Sequence, residues 1–218
     1  ILSTLVLGVV CKLVSKKLNK DVDTMFDGMA DMRTQRFFFA FDGQPEPISI
    51  TEAGRLLKEN NGRLIVRGTY NQRPVSVTVE TEEYLNRIEQ DVTTGHSYVM
   101  PCTTSWKGLF SVEKEDKNDP KIIEELKSSL QPVEQDDQTI SGVKVFSSNS
   151  ELCGLFLGKE QVREYLDHLI NSSNIDDIAI TGEEIRLIDS NPDGGESFIR
   201  IRTIFEMQDY LARQLENP

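Results

Sequence analysis

The chain has 218 residues, a net charge of -12, three cysteines and two histidines. That length suits one domain, or two small ones, able to bury a core without disulfide or metal staples. Widely spaced cysteines at 11, 102 and 153 form neither a disulfide framework nor a zinc CxxC pair, and the acidic balance argues against nucleic acid, which needs a basic face.

The charge is unevenly spread. Residues 1–73 carry 11 Lys and Arg against 8 Asp and Glu, whereas residues 74–218 carry 13 against 28. An anionic bilayer attracts the first part and repels the second. An acidic surface also simply keeps a domain soluble.

The chain opens with an uncharged apolar run, Ile1 to Cys11, closed by Lys12, Lys16, Lys17 and Lys20. A spanning helix needs roughly 20 apolar residues. The run is shorter and starts at Ile1 rather than methionine, so the expectation is the second half of a membrane span. Ile1, Leu2, Leu5, Val6, Leu7, Val9, Val10, Leu13 and Val14 are its anchor residues. A signal peptide would place its lysines before the run. An interfacial helix would keep a polar face, which is missing before Lys12. A buried core helix remains open. Lysines are retained on the cytoplasmic side, so Lys12, Lys16, Lys17 and Lys20 are expected at that membrane surface, with the following chain in the cytoplasm.

Residues 21–35 read as an amphipathic connecting helix. Val22, Met25, Phe26, Met29 and Met32 recur at helical spacing. Met25, Phe26, Met29 and Met32 form a stripe suited to packing in a core or to meeting a partner. Arg36 to Phe41 reads as a buried strand, with an apolar contact patch as the other reading.

Thr51 to Leu57 reads as a short helix. A hairpin follows, with strands Arg63–Tyr70 and Val75–Glu80 about a turn at Asn71–Pro74. Val75, Val77 and Val79 alternate with polar residues, as on a half-buried strand. Arg63, Arg67 and Arg73 decorate this hairpin as solvated charge or as an anion site. Glu82 to Val92 reads as a short helix, and the segments around His96–Met100 and Leu109–Glu113 follow it as extended chain and strand. Asn118-Asp119-Pro120 announces a helix that turns Ile122, Ile123, Leu126 and Leu130 inward.

Residues 131–142, QPVEQDDQTISG, are polar and acidic and read as a linker. The expected organisation is therefore an anchor at 1–20, the connecting helix at 21–35, an α+β domain at 36–130, the linker, and a small α+β domain at 143–218. In the last part, Val143–Phe146 is a strand and Asn149 opens a helix that Gly158 ends. Val162, Tyr165, Leu166, Leu169 and Ile170 mark a second helix, and Ile175–Ile180 pairs with Ile185–Ile188. Phe198–Arg202 reads as a third strand before a final helix with Phe205, Met207, Tyr210, Leu211 and Leu215. The sum is an α+β fold of antiparallel sheets with packed helices. Val75–Ile88 and Phe198–Leu211 share a strand, threonine and Tyr-Leu helix pattern, a faint echo of duplication.

Chemistry-bearing motifs are sparse. No HExxH, HxH, GxSxG or EF-hand spacing occurs, and Gly194-Gly195 reads as a hairpin turn rather than a phosphate loop. No cofactor or metal is expected. Cys102 near His96 is the one nucleophile–base pair close in sequence; an ordinary buried cysteine is the competing reading.

The stretches Gly68–Val75 and Val145–Leu152, the latter followed by Val162–Leu169, resemble an uncharacterised class of bacterial membrane-anchored proteins with a cytoplasmic domain of unknown function. The resemblance covers about a fifth of the chain and brings no catalytic residues with it. The functional expectation is a non-catalytic, single-pass accessory or assembly subunit whose partners are the lipid bilayer and other subunits of a membrane complex. The alternative is a membrane-associated, hydrolase-like enzyme using His96, Cys102 or nearby acids.

Overall fold

The computed structural model describes residues 40–42, 63–82, 92–112, 120–134, 140–190 and 198–217. The expected anchor, its lysines and the stripe Met25, Phe26, Met29 and Met32 lie outside these residues, as does the helix expected at 51–57; of the helix expected over Glu82 to Val92, residues 83–91 lie outside them and the end residues Glu82 and Val92 belong to strands. No helix among the described residues is long and apolar enough to cross a membrane.

The described chain is α+β. Strands β1 (Arg63–Tyr70) and β2 (Arg73–Glu82) form the expected hairpin. Its turn is only Asn71-Gln72, both at positive φ (48° and 65°), the twist that a two-residue hairpin favours. Pro74 therefore sits inside β2, opposite Thr69. The strands β3 (Val92–Pro101) and β4 (Gly108–Val112) follow. Helix α1 (Lys121–Ser129) starts directly after Pro120, its N-cap residue at ψ 149°. Strands β5 (Gln131–Pro132) and β6 (Val143–Ser147) then pair with one another.

Asn149 caps α2 (Ser150–Leu157), its Oδ1 accepting from the Leu152 N–H at 3.1 Å. Helix α3 (Glu160–Asp167) runs into a π-helical turn, His168–Ser172. Strands β7 (Asp177–Ile180) and β8 (Glu184–Asp189) make a hairpin around Gly182 at φ 100°, a conformation that suits glycine. Helix α4 (Phe198–Glu216) closes the chain.

All strands join one antiparallel sheet in the order β1-β2-β3-β8-β7-β4-β6-β5. The β7–β8 hairpin inserts between β3 and β4, which are neighbours in sequence. The chain leaving β3 wraps its turn: Cys102 N–H donates to the Glu183 carbonyl (2.9 Å) and Thr104 N–H to that of Gly182 (3.0 Å). Strands from both sides of residues 131–142 thus share one sheet. Gln131 and Pro132, read from sequence as linker, pair with β6, and Ile140 is buried. The pairing of distant strands depends on backbone groups that composition does not display.

Helices cover both faces of the sheet. Phe110, Ile178 and Leu187 belong to the core under α2, α3 and α4, whereas their neighbours Leu109, Ala179 and Ile188 meet Ile123 and Leu126 of α1 and Leu130 just after it. Successive strand residues face opposite ways, so β7, buried at every position, serves both cores. Each fully buried side chain of this size contributes about 1.5–3 kcal/mol.

One strand reading is corrected. Phe198–Arg202 begins α4 instead of forming a meander strand. The local Ile-Arg alternation looks extended, but Ile201, Ile204, Phe205, Leu211, Ala212 and Leu215 are buried at helical spacing, while Ile199 is 62% exposed. The helical stripe, supported by the sheet beneath it, wins over the five-residue alternation. The echo between Val75–Ile88 and Phe198–Leu211 fails with it, because the first is a strand at Val75–Val79 and the second a helix throughout. Of the strand read at Arg36 to Phe41, residues 36–39 lie outside the described residues, and Phe41 lies in a bend with Asp42. Phe41 is nevertheless buried, stacked on Phe205 with centroids 5.4 Å apart. Gly68 admits this stacking, since a Cβ there would fall 2.4 Å from the Phe41 ring.

Candidate functional site

Helix α4 is about 28 Å long at 1.5 Å per residue, and it packs on β1, β3 and β8. Its buried stripe is not wholly apolar: Gln208 and Asp209 are buried among Phe205, Leu211 and Ala212. Buried polar groups are costly unless paired. The partners of these groups define a polar seam between α4 and the sheet.

In the middle, Gln208 Nε2 donates to the carbonyls of Tyr98 (3.1 Å) and Ile185 (2.9 Å). One helix side chain thus holds two adjacent strands, β3 and β8. Phe205 packs beside it against the rings of Phe41, Tyr70 and Tyr98.

At the C-terminal end, Arg73 reaches α4 from the start of β2. Its guanidinium forks onto Glu216 (2.7 and 2.9 Å), donates through Nε to Asp209 (3.2 Å) and reaches the Pro101 carbonyl (3.0 Å). Asn71 of the turn and Arg213, one helical turn along, share the other Asp209 oxygen at 3.0 and 2.7 Å. A bidentate fork of this kind is the strongest form of such a contact. Arg73 holds the Glu216 carboxyl below the usual carboxylate range, chiefly through the hydrogen bond.

At the N-terminal end, Arg200 donates to the Ser173 carbonyl, just after the π-helical turn, and to Asp189 at 3.0 Å. Asp189 is 1% exposed and lies opposite His96 in the β3–β8 register. The Tyr98 hydroxyl is 3.5 Å from His96 Nδ1. Burial pushes the Tyr98 phenol well above its ordinary pKa, so it stays protonated. Asp176 accepts from the Ser190 N–H at 2.8 Å beside this group. The arrangement joins α4, the end of β8 and the loop before β7 through charge-assisted hydrogen bonds.

The candidate nucleophile–base pair is not assembled, and Cys102 is the ordinary buried cysteine of the competing reading. His96 and Cys102 are six residues apart on extended chain, or roughly 20 Å at about 3.3 Å per residue. Both are buried. Burial raises the Cys102 thiol to about 11, and Cys153 likewise to about 11; neither forms appreciable thiolate at neutral pH, the form that attacks. Proximity in sequence misled because a strand separates its residues instead of folding them together. Among the described residues, no group of three or more His, Cys, Asp or Glu is placed to hold a metal ion. The arginines read as hairpin decoration also divide: Arg73 is built into the seam, while Arg63 and Arg67 lie exposed along β1.

No family model matches this chain, and no curated protein does. Among solved structures, it is similar to the crystal structure of the mycobacterial trehalose monomycolate transport factor A, TtfA, with a TM-score of 0.42 and 8% identity. The likeness covers 70% of this chain and 69% of that one. A likeness so distant carries no argument.

Sequence reading missed Gln208, Asp209, Asp189 and Arg200. For Gln208 and Asp209 a signal existed, since both fall on the apolar stripe of a helix whose other members are Phe205, Leu211 and Ala212. Arg200 and Asp189 had none, because their meeting depends on how α4 crosses β8.

Proposed function

We propose that this chain is a non-catalytic, single-pass membrane-anchored accessory or assembly subunit that works through protein contacts. The observation that carries the reading is the uncharged run Ile1–Cys11 closed by Lys12, Lys16, Lys17 and Lys20. In this reading the lysines rest on the cytoplasmic surface of the bilayer. Met25, Phe26, Met29 and Met32 dock on a neighbouring subunit, and the acidic body stands away from anionic lipid.

The α+β body supports it in one respect. The charged side chains Asp189, Arg200, Arg73 and Asp209 are engaged in fastening α4 to the sheet. The two described thiols are buried and protonated.

Native membranes washed with carbonate and resolved by native gel with mass spectrometry test the reading. Retention in the membrane and co-migration with defined companions is the expected result. A chain that washes off and runs alone overturns it. Charged replacements at Met29 and Met32 should release the companions while the chain stays in the membrane.

A further inference from the structure

We propose that the corner between the end of β1, the Asn71-Gln72 turn and the first half of α4 is a recognition site for an extended aromatic–acidic peptide pair, and that the chain fills it with its own Phe41-Asp42. Three features of the pair are read there together: the main chain, the ring and the carboxylate. Completing a core would require the ring alone.

The main chain is captured as a strand captures a peptide. The Asp42 N–H donates to the Thr69 carbonyl (2.7 Å), and Thr69 Oγ1 donates to the Asp42 carbonyl (2.8 Å). The ring enters a slot. Gly68 lies on the side of β1 where Leu64 and Val66 are buried, and a side chain there would collide with the Phe41 ring. Phe205 forms the floor of the slot, stacked on that ring at an interplanar angle of 20°, with Tyr70 packed beside Phe205. The carboxylate is taken at both oxygens. Asp42 Oδ2 accepts from the Asn71 N–H at 2.6 Å, and Oδ1 accepts from Arg202 at 3.1 Å. Arg202 is itself placed over the Tyr70 ring, 5.4 Å from its centroid, an attractive position for a cation.

In sites of this kind main-chain bonds supply affinity and side-chain pockets supply specificity. Here the slot selects an aromatic ring, and the two donors select an acid at the next position. The site is assembled from β1, the turn and α4, so it is complete only while α4 is seated. Whatever fills it therefore favours the docked helix, as any ligand favours the state that binds it. A tethered segment faces its own site at an effective concentration of about millimolar order, which keeps Phe41-Asp42 in place against free competitors.

A free peptide must accordingly be offered to a vacated site. In the full chain, Phe41→Ala combined with Asp42→Ala removes the ring and the carboxylate and leaves Gly68, Thr69, Asn71, Arg202 and Phe205 unchanged. The capped tetrapeptide Ala-Phe-Asp-Gly, added to about 10 mM, should give saturable NMR shifts at the amides of those five residues, while residues 123–129 of α1 stay unmoved. The peptides Ala-Ala-Asp-Gly and Ala-Phe-Asn-Gly should bind about tenfold more weakly, the usual cost of one lost anchor. Adding Gly68→Ala to the double variant should abolish binding. The wild type, its site already filled, should respond about tenfold less. No saturable response in the double variant, or equal binding of the three peptides, overturns the proposal. Should the double variant fail to fold, Asp42→Ala alone loosens the occupant at its partly exposed carboxylate. The tetrapeptide should then displace Phe41 and shift the same amides, and their failure to respond overturns the proposal as well.

Discussion

Arg73 and Arg200 fasten opposite ends of the same helix, and they do so in different environments. Arg73 rises from the turn-proximal start of β2, with its side chain 20% exposed and two carboxylates of α4 to meet. Arg200 belongs to α4 and reaches down to Asp189, which is almost wholly buried. The first is a network that runs from buried Asp209 out to the partly exposed Glu216, where salt can screen it. The second centres on a carboxylate that is only 1% exposed, where losing a partner is costly. Between them, Phe205 and Gln208 supply packing and strand bridging with no net charge.

The comparison can be broken most severely at its centre. Phe205→Ala should destabilise the protein by about 3–5 kcal/mol, because the ring packs against Phe41, Tyr70 and Tyr98 together. Urea unfolding followed by far-UV dichroism measures the loss. A loss below about 1 kcal/mol, within the range of a surface change, would show that α4 is held by its ends alone.

The ends should then rank. Asp189→Ala leaves Arg200 facing an emptied buried position and should cost about 3 kcal/mol. Arg73→Ala, nearer to solvent, should cost about 1–2 kcal/mol. Raising the salt concentration should shrink the Arg73 effect and leave the Asp189 effect nearly intact. Equal salt sensitivity in urea titrations would erase the distinction. The two losses should add in the double variant, because the sites lie at opposite ends of a helix about 28 Å long.

Acid should separate the ends as well. Arg73 depresses the Glu216 carboxyl, so its stabilisation is present above the unfolded carboxylate range and is lost as pH falls through the folded value. Wild type should therefore lose its stability advantage over Arg73→Gln on acidification below about pH 4.5, near the ordinary carboxyl pKa. A difference that stays constant down to pH 3 would mean that Glu216 is not the group held.

The smallest effect is expected in the turn that presents Arg73. Gln72 occupies φ 65°, a conformation that disfavours side chains other than glycine, asparagine and aspartate. Gln72→Gly should stabilise by roughly 0.5 kcal/mol, the relief being partly offset by the freedom glycine gains when unfolded. A thermal melt resolves a change of this size.

Much of this architecture was legible locally. The β1–β2 hairpin, the starts of α1 and α2, the Gly158 break and the β7–β8 hairpin all follow from capping residues, turn chemistry and periodicity within a few residues of one another. The failures share one cause. Phe198–Arg202 has a local alternation that a strand would use, and only the core beneath α4 selects the helix. Cys102 and His96 look adjacent until a strand stretches the chain between them. The seam residues were legible only as an anomaly: Gln208 and Asp209 are polar groups on an apolar stripe.

Sequence by itself therefore determined the α+β class, most elements with their boundaries, and which faces of the helices turn inward. It also places the apolar, lysine-closed run at 1–20 on which the functional proposal stands. Tertiary structure alone decided that strands from both sides of residues 131–142 form one sheet, and that β7–β8 lies between β3 and β4. It alone joined Arg73 to Glu216, and Arg200 to Asp189 beside His96. Periodicity and capping are short-range and are written in neighbouring residues. Strand order and ion pairing join residues up to 160 positions apart, and they are settled by which arrangement buries the apolar faces while pairing the polar groups that go in with them.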